Sequence, residues 1–223
     1  MLRQLQDRIS SRARKRRGQF LMRVVDLPLN ARILDLGGAT GRHIHDVLPC
    51  HSDITVCDIS ERDLKAARET YGYKTVLLQE SGNLPFHDKE FDFCFCSSVI
   101  EHVTAPKHDV WNITGDAAFR SIARERQGQF AREIARVAKR FYVQTPYRYF
   151  FIESHTCLPG IIVLLPRRLQ IALFRFINRF WFASTDPEWY LLDWREMAET
   201  FPDAKIYRER YLCMTKSLMA VKA

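Results

Sequence analysis

The 223-residue sequence predicts an α/β domain, a parallel sheet covered by helices on both faces. Two observations carry that expectation. Strand-like runs and helical patterns alternate through the first two thirds of the chain. The first strand-like run, Ala31–Leu36 (ARILDL), passes through Gly37, Gly38 and Gly41 straight into a helical pattern. Composition agrees: 47% hydrophobic and 27% charged residues are ordinary for a folded soluble domain. These proportions exclude a disordered chain, a collagen and an integral membrane bundle.

The second strand is Ile54–Asp58 (ITVCD), ending on Asp, and Ser60 is placed to cap the helix after it with Asp63 at the third helical position. Thr75–Gln79 and Phe91–Cys96 (FDFCFC) read as strands three and four. Phe130–Lys139 carries apolar residues at helical spacing, and Phe141–Gln144 is a fifth strand stopped by Pro146. Asp193–Thr200 reads as a short helix, with Lys205–Arg210 and Ser217–Val221 as a final strand pair, expected to be antiparallel at the sheet edge. No internal repeat is visible. The chain reads as one domain: a basic arm (1–28), a core (29–146), an aromatic and basic segment (147–186) and a closing helix and strands (187–223). The stretch Thr104–Gln127 reads as a substrate cap, a dimer contact or a longer helix.

The six cysteines are scattered without a CxxC, and Cys94 and Cys96 sit in an apolar run, which points to reduced core residues of a cytosolic protein. Residues 1–18 hold seven Lys and Arg against Asp7 alone, with no apolar core of a secretion signal. Such an arm meets phosphates, a membrane surface or an acidic substrate, or is a solvated helix face. From Ser154 to Thr185 there is no acid. In a helix over Arg167–Phe182, Arg167, Arg168, Arg175, Asn178 and Arg179 fall within about a third of the circumference, and apolar residues fill much of the rest. Two readings follow: a helix that roofs a greasy substrate pocket, which is preferred, or one lying on a membrane surface.

Ile33-Leu34-Asp35-Leu36-Gly37-Gly38-Ala39-Thr40-Gly41 is the strongest signal. Glycine permits a tight turn and close approach of a ligand to the main chain. A dinucleotide GxGxxG fails, because Ala39 and Arg42 occupy the second and third glycine positions, and a phosphate loop fails at Arg42-His43. What remains is DxGxxxG with a second acid, Asp58, placed to accept the hydroxyls of a ribose. His43 and His45 form an HxH without accompanying ligands, so no metal is expected.

Together these residues resemble the class I S-adenosylmethionine-dependent methyltransferases, in the branch called type 11. LDLGGATG resembles the first motif of that family and VCDIS its second. Leu84–Asp92 (LPFHDKEFD) and Ser97–His102 (SSVIEH) resemble the segments around its fourth strand. The likeness covers roughly residues 30–145. Two departures are visible: Ala39 stands at the middle glycine, and Val137-Ala138-Lys139-Arg140 replaces the usual glycine turn before strand five.

The resemblance implies a Rossmann-like, seven-stranded, mostly parallel sheet with a helical lid inserted before the last two strands. It implies S-adenosyl-L-methionine as cofactor and S-adenosyl-L-homocysteine as product. Gly37, Gly38 and Gly41 would then line the methionine part and Asp58 would hold the ribose, with Asp35 and Ile59 also among the cofactor-binding residues. Glu80 and Ser81 would flank the adenine, and Ser97 would face the sulfonium.

Methyl transfer is an in-line displacement, and an oxygen nucleophile usually needs a base. His102 is one candidate base, or else a structural cap residue with Glu101. His155, oriented by Glu153, is the other, or else part of a loop that only holds the lid. The function expected is O-methylation of a small-molecule or lipid-linked glycan acceptor by a cytoplasmic enzyme, with peripheral membrane contact through 158–182 and the basic arm as an option. Alternatives are RNA methylation on ribose or a ring carbon, and a non-catalytic cofactor-binding partner protein. Methylation of base amines is disfavoured by Ser97-Ser98-Val99-Ile100, and Arg12–Arg17 offers no aromatic stacking platform.

Overall fold

Local sequence builds a regular succession of elements in this computed structural model, which describes residues 14–79, 83–150, 162, 165–180, 186–211 and 213–223. Residues 14–24 are helical (α1). There follow β1 (Ile33–Leu36), α2 (Arg42–Val47), β2 (Ile54–Asp58), α3 (Glu61–Tyr71), β3 (Lys74–Leu77) and β4 (Phe91–Ser97). A 3-10 turn (Ile100–His102) precedes α4 (Asp116–Val137), β5 (Ala138–Pro146), α5 (Arg167–Phe180), α6 (Trp194–Thr200), β6 (Lys205–Tyr211) and β7 (Met214–Lys222). The strands form one mixed sheet in the order β3-β2-β1-β4-β5-β7-β6. β1 pairs in parallel with β2 and with β4, and β2 with β3. β6 and β7 are neighbours separated by two residues, a connection that joins only antiparallel strands.

The order places β2 on one side of β1 and β4 on the other. This is the point where strand order reverses, and in open α/β sheets the ligand crevice lies beyond the carboxyl ends of the strands at such a point. The register sets Leu36 opposite both Cys57 and Cys96, so Gly37, just past β1, stands level with Asp58 and Ser97, the last residues of β2 and β4.

The chain packs as two compact units. The first holds the chain up to Ser97 with Glu133–Val143 and Val221–Ala223, and the second holds Ser98–Arg132 and Gln144–Ala220. In the first unit all four residues of β1 are buried, the pattern of a strand covered on both faces. Phe95 stacks on Tyr142 with ring centres 5.3 Å apart. Cys57, Cys94 and Cys96 are buried free thiols, as expected of core residues; Cys157 lies outside the described residues. Ser60 caps α3, its hydroxyl accepting from the Asp63 N–H. The Leu84–Asp92 segment is pinned by Arg136, whose guanidinium donates to the Leu84 and Phe86 carbonyls and to Asp88 while Glu133 accepts from the Leu84 N–H. Helix α1 is part of this unit and not a free arm. Leu21 and Val25 are buried, and Gly18 lies so close to Val47 that a Cβ would stand 2.3 Å from its carbonyl oxygen.

In the second unit α4 is longer than the sequence pattern suggests. It begins at Asp116, so much of the 104–127 stretch is helix. Its buried stripe, Phe119, Ala123, Gln127 and Ala131, contains an amide that interrupts the apolar period. Gln127 donates there to the carbonyls of Ile100 and Tyr190 at 2.9 and 3.0 Å. Helix α6 carries the full capping box between Asp193 and Glu196.

Helix α5 corrects the placement of one arginine. Arg167, expected on the polar stripe, is buried: it donates to the carbonyls of Val110 and Ile113 and lies 3.7 Å over the Phe119 ring. Burial lowers its pKa to about 10. Ile171 and Phe174 face inward, and Phe174 joins Ile162, Trp189 and Leu191 in a core cluster. Phe176, by contrast, is 63% exposed.

Candidate functional site

The glycine loop is built by three backbone constraints. The N–H groups of Gly37 and Gly38 both donate to the Cys57 carbonyl, at 2.8 and 3.2 Å, which ties the loop to β2. Gly37 and Gly41 are left-handed, each with φ 71°. Gly38 is needed for space instead: a Cβ there would stand 2.1 Å from Asp35 Oδ2 and 2.9 Å from Val56 Cγ1.

Ala39 is also left-handed, with φ 46°, a conformation that costs an L-residue roughly 1–2 kcal/mol. The departure noted at this position in the sequence is therefore a strained residue, and Asp58 holds it. Asp58 Oδ2 accepts from the Ala39 N–H at 2.9 Å, and Oδ1 accepts from the Ser60 N–H at 3.0 Å. A carboxylate has about four acceptor positions, so each oxygen of Asp58 can take one further donor.

Asp35 lies at the floor. It is 2% exposed, and its Oδ2 has no hydrogen-bond partner among the described residues. Burial, with the Asp58 charge adding to it, raises its pKa from 3.8 to about 8. An acid with a raised pKa in the folded state destabilises that state as pH rises. Below 3.8 both folded and unfolded chains are protonated; between 3.8 and about 8 only the unfolded chain releases the proton. The expected contribution is a loss of about 1.4 kcal/mol per pH unit across that window, levelling off above it. Denaturant titrations at pH 5 and pH 8 should therefore show Asp35→Asn more stable than the parent at pH 8, with a flatter pH profile. Equal slopes for both proteins would contradict the assignment.

Asp35, Gly37, Gly38, Ala39, Thr40, Phe95 and Ser97 line a cavity of about 250 Å³ together with Arg14, Arg42 and His43. Ile59 is 50% exposed just past Asp58, and Leu77 is 53% exposed at the end of β3, so two apolar side chains stand uncovered beyond neighbouring strand ends. Glu80 and Ser81 lie outside the described residues, as do Glu153 and His155.

His102, in the second unit, is half-buried, with Nδ1 3.2 Å from Glu188 Oε1. Its neighbour Glu101 is fully buried and accepts from Thr145 Oγ1 at 3.0 Å. The two residues of the Glu-His pair thus differ: Glu101 is packed into the interior, while His102 is half-buried beside the half-buried carboxylate of Glu188. His45 meets the Tyr73 hydroxyl at 3.1 Å, and His43 meets Phe95 edge-on. Among the described residues no group of three His, Cys, Asp or Glu side chains is arranged to hold a metal ion.

Sequence reasoning missed Arg14 and Glu188. Arg14 is one basic residue in a basic run, and its partner Asp46 is 32 residues away. Glu188 follows His102 by 86 residues with no local pattern linking them.

Residues 34–140 match the family model of a methyltransferase domain. That stretch carries a methyltransferase domain. Its fold is that of a Clostridium acetobutylicum S-adenosylmethionine-dependent methyltransferase (10% identity, TM-score 0.56, covering 93% of this chain and 90% of that one). It is also that of the magnesium protoporphyrin IX methyltransferase ChlM from Synechocystis, solved with bound S-adenosylhomocysteine (13% identity, TM-score 0.51, 96% and 84% covered). A Methanosarcina mazei methyltransferase is similar at 15% identity (TM-score 0.51, 87% and 92% covered). No curated protein matches the chain. The residues fit S-adenosylmethionine as cofactor: a buried carboxyl oxygen of Asp35 has no hydrogen-bond partner among the described residues, and the glycine-loop cavity lies against it.

Proposed function

We propose that this methyltransferase modifies a hydroxyl group of a small-molecule or lipid-linked glycan acceptor, with His102 as general base. The observation that carries the reading is the Glu188 carboxylate at His102 Nδ1. A carboxylate there favours the tautomer protonated on Nδ1, so Nε2 carries the lone pair that takes a hydroxyl proton. Glu188 also steadies the imidazolium that follows. When bound, S-adenosylmethionine supplies a methyl group already activated by its sulfonium charge.

On this reading Asp58 keeps one acceptor position per oxygen for the ribose hydroxyls, and Ile59 offers apolar surface to the adenine. Gly37, Gly38 and Gly41 let the main chain approach the methionine part above Asp35, and Ser97 stands at the end of β4. Glu80 and Ser81 hold their adenine roles, and Glu153 and His155 the competing base role, on the sequence resemblance alone. Incubation with methyl-labelled cofactor and separated lipid, glycan and RNA fractions tests the acceptor class. Label in lipid or glycan is expected. Label in RNA, or none in any fraction, contradicts the reading.

One observation favours a membrane-borne acceptor. Among the described side chains of α5, Arg168, Leu169, Ala172, Arg175, Phe176 and Arg179 are exposed, and at 3.6 residues per turn they share an arc of about 120°. Three arginines form one edge and three apolar residues the other, with no acid between Ser154 and Thr185. That face suits an anionic lipid surface, the apolar edge inserting and the guanidinium groups meeting headgroups. Among the described residues no helix is long and apolar enough to cross a membrane. Leu169→Ser with Phe176→Ser should abolish sedimentation with phosphatidylglycerol vesicles at an unchanged melting temperature. Retained binding, or a lowered melting temperature, contradicts the lipid contact.

A further inference from the structure

We infer that Gln127, on the buried face of α4, is a positioning residue for the His102–Glu188 pair. The inference rests on the base reading of His102 and adds what holds the pair in place. His102 and Glu188 belong to two separate stretches of the second unit, the 3-10 turn Ile100–His102 and the irregular segment that precedes α6. Gln127 grips both. It is fully buried, and its amide nitrogen donates to the Ile100 carbonyl at 2.9 Å and to the Tyr190 carbonyl at 3.0 Å. Ile100 stands two residues before the imidazole, and Tyr190 two residues after the carboxylate. One planar group with two fixed donors thus sets the spacing of the two backbones that carry the pair. The stretches also meet directly, Tyr190 N–H donating to the Glu101 carbonyl at 2.8 Å and the Thr104 hydroxyl to the Glu188 carbonyl. Gln127 ties that assembly to a third element, the 22-residue helix α4.

Packing alone does not call for an amide here. An apolar side chain would complete the stripe of Phe119, Ala123 and Ala131, whereas Gln127 leaves its Oε1 buried with no hydrogen-bond partner among the described residues. A buried acceptor left unpaired is unfavourable, so what the residue contributes is its two donors. The Ile100 carbonyl does not depend on Gln127 for a partner either, since it also accepts from the Val103 N–H at 3.1 Å. His102 Nδ1 and Glu188 Oε1 are 3.2 Å apart, at the outer edge of hydrogen-bond length. A displacement of either backbone by about 1 Å separates them, and misplacement on that scale is enough to disable a catalytic group.

Nitrogen-15 magnetic resonance of the histidine rings reads which imidazole nitrogen carries the proton, and it needs no acceptor substrate. The His102 signal is assigned by its absence in His102→Ala. At about pH 9, where an ordinary histidine is neutral, the unaltered protein should show His102 protonated on Nδ1. Gln127→Met keeps the length of the side chain without its donors and should move the proton to Nε2, the form a solvated imidazole prefers. Gln127→Asn keeps an amide one methylene too short to reach both carbonyls. It should act the same way, and it carries the test if Gln127→Met does not fold. Ala123→Gly, one turn earlier on the same buried face, should lower the melting temperature through helix propensity and leave the His102 signal unchanged. The Nδ1–H form lost in Glu188→Ala but kept in the Gln127 variants would overturn the role of Gln127 alone. So would an equal shift in Ala123→Gly, which would make the effect a general loosening of α4. An unaltered protein protonated on Nε2, or an Nδ1–H form that survives in Glu188→Ala, would contradict the base reading itself.

Discussion

His102→Ala should lower turnover by about 10²–10⁴-fold with cofactor affinity nearly unchanged, because a positioned general base contributes on that scale. Glu188→Gln should give a smaller loss. The amide keeps the size of the side chain but removes the negative charge 3.2 Å from Nδ1, so turnover should fall while cofactor affinity holds. His155→Ala is the necessary comparison, since the sequence offers that residue as a second base. A loss confined to His102, with a smaller loss in Glu188→Gln, assigns the base. A loss confined to His155 transfers the role, and normal turnover in both leaves alignment alone as the catalytic device. Glu101→Gln should behave differently from all of these. Its carboxylate is buried against Thr145, so the expected change is in stability.

Gly38→Ala should weaken cofactor binding at least about 100-fold. The added methyl would sit 2.1 Å from Asp35 Oδ2 and 2.9 Å from Val56, both well inside van der Waals contact. Val56 belongs to a buried strand and has little room to yield, so Asp35 is driven into the cavity floor. Overpacking of this kind costs about 1–3 kcal/mol, and displacement of a ligand-facing carboxyl adds to it. The neighbouring position predicts the opposite sign. Ala39→Gly relieves a left-handed alanine and should be neutral to mildly stabilising, with cofactor affinity retained. Calorimetric titration of both variants with S-adenosylhomocysteine separates the two requirements, space at Gly38 and backbone conformation at Ala39.

The sheet was legible where the chain announces itself locally. β1, β2 and β4 are nearly continuous apolar runs, β2 ending on Asp58 and β4 on Ser97, and the glycine loop begins where β1 ends. The legible elements and the legible site residues are thus the same stretches of chain. Helix α4 was only half legible because its buried stripe contains Gln127, whose partners are carbonyls distant in sequence. Arg167 was misplaced for a related reason. A helical wheel records charge but not the carbonyls of Val110 and Ile113 or the Phe119 ring that make burial of a guanidinium tolerable. Arg14 and Glu188 act through partners 32 and 86 residues away, and no periodicity carries such a signal.

The account rests on one claim: the loop Asp35–Gly41 and the acid Asp58 hold S-adenosylmethionine. Calorimetric titration with S-adenosylhomocysteine of the unaltered protein, Asp58→Asn and Asp58→Ala tests it most directly. Asp58→Asn keeps a carbonyl oxygen for one loop N–H but loses the charge, while Asp58→Ala loses every bond to Ala39 and Ser60 as well. The account predicts saturable binding by the unaltered protein, a loss of about ten- to a hundred-fold in Asp58→Asn, and a larger loss in Asp58→Ala. Affinity unchanged in both variants would contradict it.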